Sequence, residues 1–247
     1  MPTNLEIPVF SPASALHAQA LGAQRIELNA RGSYPAGGTT PTPADLEGVT
    51  KWLTVPVRIM IRPRGPPADG APDFVYSETE LARMLVDVEA FRGLLRKDRG
   101  DGFVFGVVRV EEEGRVVVDV ERNRRLVEAA GGLACSFHRA FDEVVRDGTE
   151  EAVGRGVREL GECGFAGVLT SGGPGNAVGN RAVLERIVRA AEPRGLEVIV
   201  GGGVRSGNVA GVVDGLGGVW AHSSCLKGEG EVDDEEAMGI LEVLAER

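Results

Sequence analysis

Two of the three histidines in the chain directly follow short apolar runs, His138 in SFHRAFD and His222 in VWAHSSC. Imidazole changes charge near neutrality, which suits it to proton transfer. If those runs are strands, both rings stand at strand ends. Arg139 adjoins His138 and Asp142 follows one turn later, so a carboxylate is at hand to tune the ring. The competing reading is a hydrogen-bonded structural histidine. The third, His17, falls within an expected first helix and reads as an ordinary surface or packing residue.

Two-residue spacing gives a second group of candidates. In a strand, alternate side chains share a direction, so Glu6 goes with Pro8, Glu27 with Asn29, and Met60 with Arg62 and Arg64. If those directions are inward, two carboxylates and a guanidinium from adjacent strands converge, either as a reactive site or as a satisfied internal ion network. Two glycine-rich turns, LTSGGPGNA and VGGGVRSGN, could bring backbone amides close to an anion, with Gly201, Gly202 and Gly203 at the centre of the second. Close strand-to-helix packing without a ligand would use the same glycines.

Something must hold these groups at one place. Apolar runs at Leu5–Val9, Arg25–Asn29, Val57–Ile61, Phe103–Val107, Leu133–Phe137, Gly167–Thr170, Glu197–Val200 and Gly218–Ala221 read as eight strands. Helical periodicity appears between them at Leu46/Val49/Leu53, Leu81 to Leu95, Val183 to Val188, Val209 to Leu216 and Ile240 to Leu244. Eight β/α units in 247 residues, with no linker, predict a single α/β domain over residues 1–247, a (β/α)8 TIM barrel. An open doubly wound sheet is the alternative, and the first strand lacks the GxGxxG that such a dinucleotide-binding fold would carry. Long segments at 30–43, 65–77 and 109–119 follow strands two, three and four, the last resembling a hairpin turning at Gly114. All three would elaborate one mouth.

Composition bounds the function. The balance of 37 acidic to 27 basic residues, net −10, disfavours nucleic acid. No apolar run approaches the roughly 18 residues needed to cross a bilayer, and no secretory leader is recognisable, so a cytoplasmic protein without membrane partners is expected. Cys135, Cys163 and Cys225 are too scattered for a disulfide framework or a CxxC site and read as buried thiols.

Taken in order, LEIPVFSPASALHAQALGAQRIELNA, AGGTTPT, VRIMIRPRG, FVYS, FVFGVV, SFHRAFD, LTSGG, GGGVRSGN and VWAHSS resemble the CutC copper homeostasis family over nearly the whole chain. IRPRG and FHRAFD carry most of the specificity. The resemblance implies a cytoplasmic barrel linked to copper tolerance and often described as copper binding, with no established catalytic activity. It also implies a polar mouth made of Glu6, Arg25, Glu27, Arg62, Arg64, His138, Arg139, Asp142, Thr170, Ser171, His222 and Ser223. Family members commonly carry cysteines in LEICV- and IELCA-like motifs, where this chain has Pro8 and Asn29.

Three functions follow as expectations. One is copper homeostasis with copper bound through His138, His222, Glu6 or Glu27, although no ligand-spacing motif supports it. The second is an enzyme for a small anionic or phosphorylated molecule, in which Glu6, Glu27, Arg62, His138, Asp142 and His222 do the chemistry. Arg25, Arg64, Arg139, Thr170, Ser171, Gly201, Gly202, Gly203 and Ser223 would then hold the anion. The third is a scaffold that has lost its ligand. A homo-oligomer is expected for a barrel of this kind.

Overall fold

Residues 3–226 and 231–246 are described by a computed structural model. Eight parallel strands close into a barrel: β1 (Asn4–Val9), β2 (Arg25–Leu28), β3 (Val57–Met60), β4 (Gly102–Phe105), β7 (Ala134–Phe137), β8 (Gly167–Thr170), β9 (Glu197–Val200) and β10 (Trp220–His222). Each pairs with the barrel strand before it, and β10 closes on β1. Between β4 and β7 a small antiparallel hairpin, β5 (Val108–Val110) with β6 (Val116–Val118), turns through Glu112–Gly114, as the sequence predicts.

The strand pleat explains both faces of the sheet. Leu5, Ile7 and Val9 of β1, Ile26 and Leu28 of β2, and Val57, Ile59 and Ile61 around β3 belong to the apolar core beneath the helices. The alternate residues Glu6 and Pro8, Arg25 and Glu27, and Arg58 and Met60 therefore turn into the barrel. Barrel interiors are ordinarily filled by branched apolar side chains. Here the inward positions include Glu6, Arg25, Glu27, Arg58 and Glu197 as well as the apolar Val104, Leu169 and Ile199.

The outer helices are α1 (Pro12–Leu21), α2 (Pro43–Glu47), α3 (Glu78–Arg92), α4 (Val120–Ala129), α5 (Phe141–Val144), α6 (Glu150–Cys163), α7 (Arg181–Ala191), α8 (Val209–Val213) and α9 (Asp234–Ala245). Their starts have local causes. Ser77 and Glu80 form a reciprocal capping box at α3, as do Thr42 and Asp45 at α2, and Thr149 caps α6. The periodicity expected through Leu53 gives only the short α2. Val49 and Leu53 still reach the core, from turns. His17 lies on α1 and pairs with Asp234 at 2.9 Å on α9, away from the mouth. Among the described residues no helix is long and apolar enough to cross a membrane.

Asp101 locks the end of the barrel opposite the mouth. It is fully buried and accepts from the Val57 amide at 3.0 Å, the Arg96 amide at 2.8 Å, and Arg99 at 2.8 and 2.7 Å. Replacing it with alanine would strand the buried Arg99 guanidinium and two amides. Asp101→Ala is therefore expected to lower stability by about 3–5 kcal/mol in urea unfolding while leaving ligand binding at the mouth unaltered in whatever fraction folds.

Candidate functional site

The C-terminal ends of the strands enclose a cavity of about 670 Å³ whose walls include Glu27, Arg62, Phe74, His138, Arg139 and His222. Its floor is an ion network set by register. Glu6 lies beside Arg25 across β1 and β2 and beside His222 across β1 and β10. Arg25 grips one oxygen of Glu6 through Nε, and its Nη1 reaches Glu197 at 2.7 Å. The other Glu6 oxygen meets His222 Nδ1 at 2.7 Å. The guanidinium also stacks on Trp220, 3.9 Å from the ring centroid.

These contacts fix the charges. Burial opposes ionisation of Glu6, yet Arg25 and His222 together hold its carboxyl well below the usual range. Burial likewise disfavours a charged His222, but the bond to Glu6 and the charges of Glu27 and Glu6 raise its pKa. Glu27 differs. Burial pushes its carboxyl up, and only one of its oxygens has a partner, the Asn29 amide at 3.0 Å. Its Oε2 is buried with no partner among the described residues.

His138 is the second such group. The Ala140 N–H donates to its Nδ1 at 3.3 Å, so the neutral ring carries its proton on Nε2, which is buried and unpartnered. Burial, reinforced by the Arg62 charge, lowers its pKa to about 3. Gly106 makes room for this ring, since a Cβ there would lie 2.7 Å from Nδ1. Phe74 closes over it with ring centroids 4.7 Å apart.

Several sequence expectations are corrected at this point. The guanidinium that meets the inward carboxylates is Arg25, not Arg62. Arg62 lies beyond the end of β3, and its side chain instead ties down loops, donating to the carbonyls of Ala36 and Gly38 and to Asp73 at 2.8 Å. Arg64 is held by Glu80 at 2.6 Å and the Val75 carbonyl at 2.9 Å. Asp142 does not touch His138. It accepts from Thr170 Oγ1 at 2.6 Å, from the Ser171 amide and hydroxyl at 2.8 Å each, and from Arg139 Nε at 2.8 Å, knotting the loops after β7 and β8 together. Thr170 and Ser171 are parts of that knot rather than free anion ligands. Ser223 spends its hydroxyl on the Val204 carbonyl at 2.8 Å.

The glycine turn after β9 divides in two. The Gly201 amide continues the sheet by donating to Thr170 at 3.0 Å, whereas the amides of Gly202, Gly203 and Val204 have no acceptor among the described residues. Gly202, at φ +87°, admits no side chain, because a Cβ would sit 2.8 Å from Ser171 Cβ and 3.3 Å from the Arg139 guanidinium carbon. Arg205, which the residue-type reading missed, follows directly. It rests on the hydroxyls of Ser223 and Ser224 at 3.2 and 3.4 Å and has no carboxylate partner among the described residues. A cation immediately after a glycine run was the available signal. Asp73 and Phe74 were also missed, in a Pro- and Gly-rich segment whose composition marks only a loop.

Copper does not fit this donor set. Cys135, Cys163 and Cys225 are buried, none borders the cavity, and burial pushes their thiols up to about 12, 12 and 11. A soft Cu(I) ion wants thiolate or thioether sulfur, and the Met60 thioether is the one sulfur among the described residues that borders the cavity, too few for such a site. Glu6, Glu27 and His222 do offer ligand atoms within 4.8 Å of one another. Both Glu6 oxygens are already engaged, however, and Arg25 places a fixed positive charge against them.

Comparison with known proteins gives a consistent family. A sequence model of the CutC family matches residues 3–227. A CutC family protein of Salmonella enteritidis is 37% identical over 211 residues, 85% of this chain and 75% of that one. The Drosophila melanogaster protein named copper homeostasis protein cutC homolog is 34% identical over 228 residues, 92% of this chain and 79% of its own length. The crystal structure of the CutC protein from Streptococcus agalactiae superposes with a TM-score of 0.75 at 26% identity, covering 91% of this chain and 99% of that one. The deoxyribose phosphate aldolase of Aeropyrum pernix, at 16% identity and a TM-score of 0.61 over 98% of this chain and 89% of its own, shares the barrel fold. The chain belongs to the CutC family.

Proposed function

We propose that this member of the CutC family is an enzyme that moves a proton on a small phosphorylated carbonyl compound held at the barrel mouth. The observation that carries the reading is the pair of buried, unpartnered polar atoms, Glu27 Oε2 and His138 Nε2, on residues that wall the same cavity. An unmade buried hydrogen bond costs about 1–3 kcal/mol. A ligand supplying an acceptor to one and a proton to the other would recover that cost.

The residues divide the work. Glu27, its basicity raised by burial, removes a proton from the carbon next to the carbonyl. The C–H electron pair moves into the carbon–carbon bond and the carbonyl electrons onto oxygen. His138, neutral and with its proton on Nε2, donates a hydrogen bond to that oxygen as negative charge builds on it. The electrons on oxygen then re-form the carbonyl as the proton returns from Glu27 to the same carbon. Glu6 holds His222 beside Glu27, where its charge favours the ionised carboxylate. The phosphate lies against the amides of Gly202, Gly203 and Val204 with Arg205 and Arg139 beside it, since guanidinium and free N–H groups both suit a phosphate oxyanion. The copper association in the Drosophila relative's name would reach this chain through such chemistry rather than through a Cu(I)–thiolate site.

Incubation in D2O with a panel of phosphorylated aldehydes and ketones tests this directly. Exchange at the carbon beside the carbonyl is expected for at least one compound, falling at least 100-fold in Glu27→Gln. No exchange across the panel, together with tight one-site Cu(I) binding, would overturn the proposal. Arg205→Ala is expected to weaken binding of inorganic phosphate about tenfold by calorimetry without lowering the melting temperature appreciably.

The Glu27 carboxyl also has a stability signature. A carboxyl whose folded pKa is raised favours the fold below its unfolded value and loses that contribution as pH climbs through the folded value. Glu27→Gln should therefore melt higher than the parent at pH 8, with the gap narrowing on acidification.

A further inference from the structure

Resting on that reading of the mouth as a site for a small anion, we infer that Asp73 is a built-in stand-in for a ligand carboxylate, and that the substrate carries a carboxylate which displaces it from between Arg62 and Arg64. Asp73 lies in the 65–77 segment and borders the cavity. Its two oxygens straddle two guanidiniums, Oδ2 at 2.8 Å from Arg62 Nη2 and Oδ1 at 3.5 Å from Arg64 Nη1. Two arginines facing one carboxylate make an oxyanion-recognition geometry.

Neither arginine depends on Asp73 for its position. Arg62 is anchored through Nη1 on the Ala36 and Gly38 carbonyls. Arg64 is anchored through Nε on Glu80 and through Nη2 on the Val75 carbonyl, and it lies over Tyr76. With Asp73 withdrawn, Arg62 Nη2 loses its carboxylate acceptor and Arg64 Nη1 keeps only the Gly65 carbonyl at 3.2 Å. Arg62 Nε is buried and has no partner even with Asp73 present. The fold thus builds a carboxylate site and fills it with its own side chain.

The neighbour of Asp73 links that site to the chemistry. Phe74 adopts φ +62°, a left-handed conformation unfavourable to an aromatic residue, and its ring covers His138. Its amide donates to Asp73 Oδ1 at 2.8 Å, so the two residues move as a unit. Displacing the Asp73 carboxylate would relax the backbone at Phe74 and uncover His138 Nε2. A ligand with a carboxylate at Arg62 and Arg64 and a phosphate at Arg205 would thereby open the proton-transfer site by the act of binding.

Calorimetry with succinate as the carboxylate probe and inorganic phosphate as the control separates the outcomes. Asp73→Ala is expected to bind succinate at least tenfold more tightly than the parent, with the gain abolished when Arg64→Gln is added. Phosphate affinity should change less than twofold, which distinguishes an emptied subsite from the mere loss of one negative charge. If the alanine variant does not fold, Asp73→Asn keeps the size and one acceptor oxygen, and a gain of at least threefold is expected. Unchanged or weaker succinate binding in a folded variant would overturn the inference, as would an equal gain for phosphate. Absence of phosphate binding in the parent, alongside a succinate gain in the variant, would sink the phosphate orientation proposed above and leave this subsite standing.

Discussion

The bond between Arg25 and Glu6 inside the barrel is the constraint on which the mouth depends. A charged pair in that position is costly to desolvate and persists only when its geometry and its remaining hydrogen bonds are satisfied. Arg25 meets most of this condition by bridging Glu6 and Glu197 and by stacking on Trp220, while its buried Nη2 has no partner among the described residues. Glu6, held ionised by Arg25, then fixes the ring of His222 and raises its pKa. The register of β1 with β2 and β10 makes this chain of contacts possible. A slip of one residue would turn all these side chains into the apolar layer beneath the helices.

Above that floor, further polar atoms on the cavity wall are left without partners. Glu27 stands two residues along β2 from Arg25 and shares its inward direction, yet one of its oxygens is left bare. His138, across the cavity wall, has its Nδ1 settled by the Ala140 amide and its Nε2 bare. Asp142 could have served as the partner of His138 and is instead fully occupied in joining two loops. The barrel therefore spends most of its hydrogen bonds on positioning and leaves buried atoms of Glu27, His138 and Arg62 on the cavity wall without partners, the pattern expected where function outweighs stability.

Much of this was legible in the sequence. All eight barrel strands were, because each is a short apolar run bounded by turn residues, and so was the 109–119 hairpin. The shared direction of Glu6 with Pro8 and of Glu27 with Asn29 followed from the pleat alone, whereas its inward sense needed the structure. Helices α4 and α6 were not read, because arginine and glutamate crowd α4 and Gly156 interrupts the apolar stripe of the glycine-containing α6. Arg25 was recognised only through the family resemblance, since its partner is decided by interstrand register, which no local pattern encodes. The role of Arg62 misled for a similar reason. A position two residues past Met60 keeps the strand's spacing on paper, but the chain has left the sheet there. Asp73 sits in a loop whose prolines and glycines report flexibility of sequence and nothing of where its carboxylate lands.

The central claim is that the mouth presents a neutral imidazole with an unpartnered Nε2–H, and nitrogen-15 NMR of the His138 ring tests it most directly. The depressed pKa predicts that His138 remains neutral, with its proton on Nε2, from pH 8 down to about pH 4, and that the unfolding free energy falls as pH drops from 6.5 towards 3. A ring that titrates near 6.5, or that carries its proton on Nδ1 at neutral pH, would contradict the arrangement from which the function is derived.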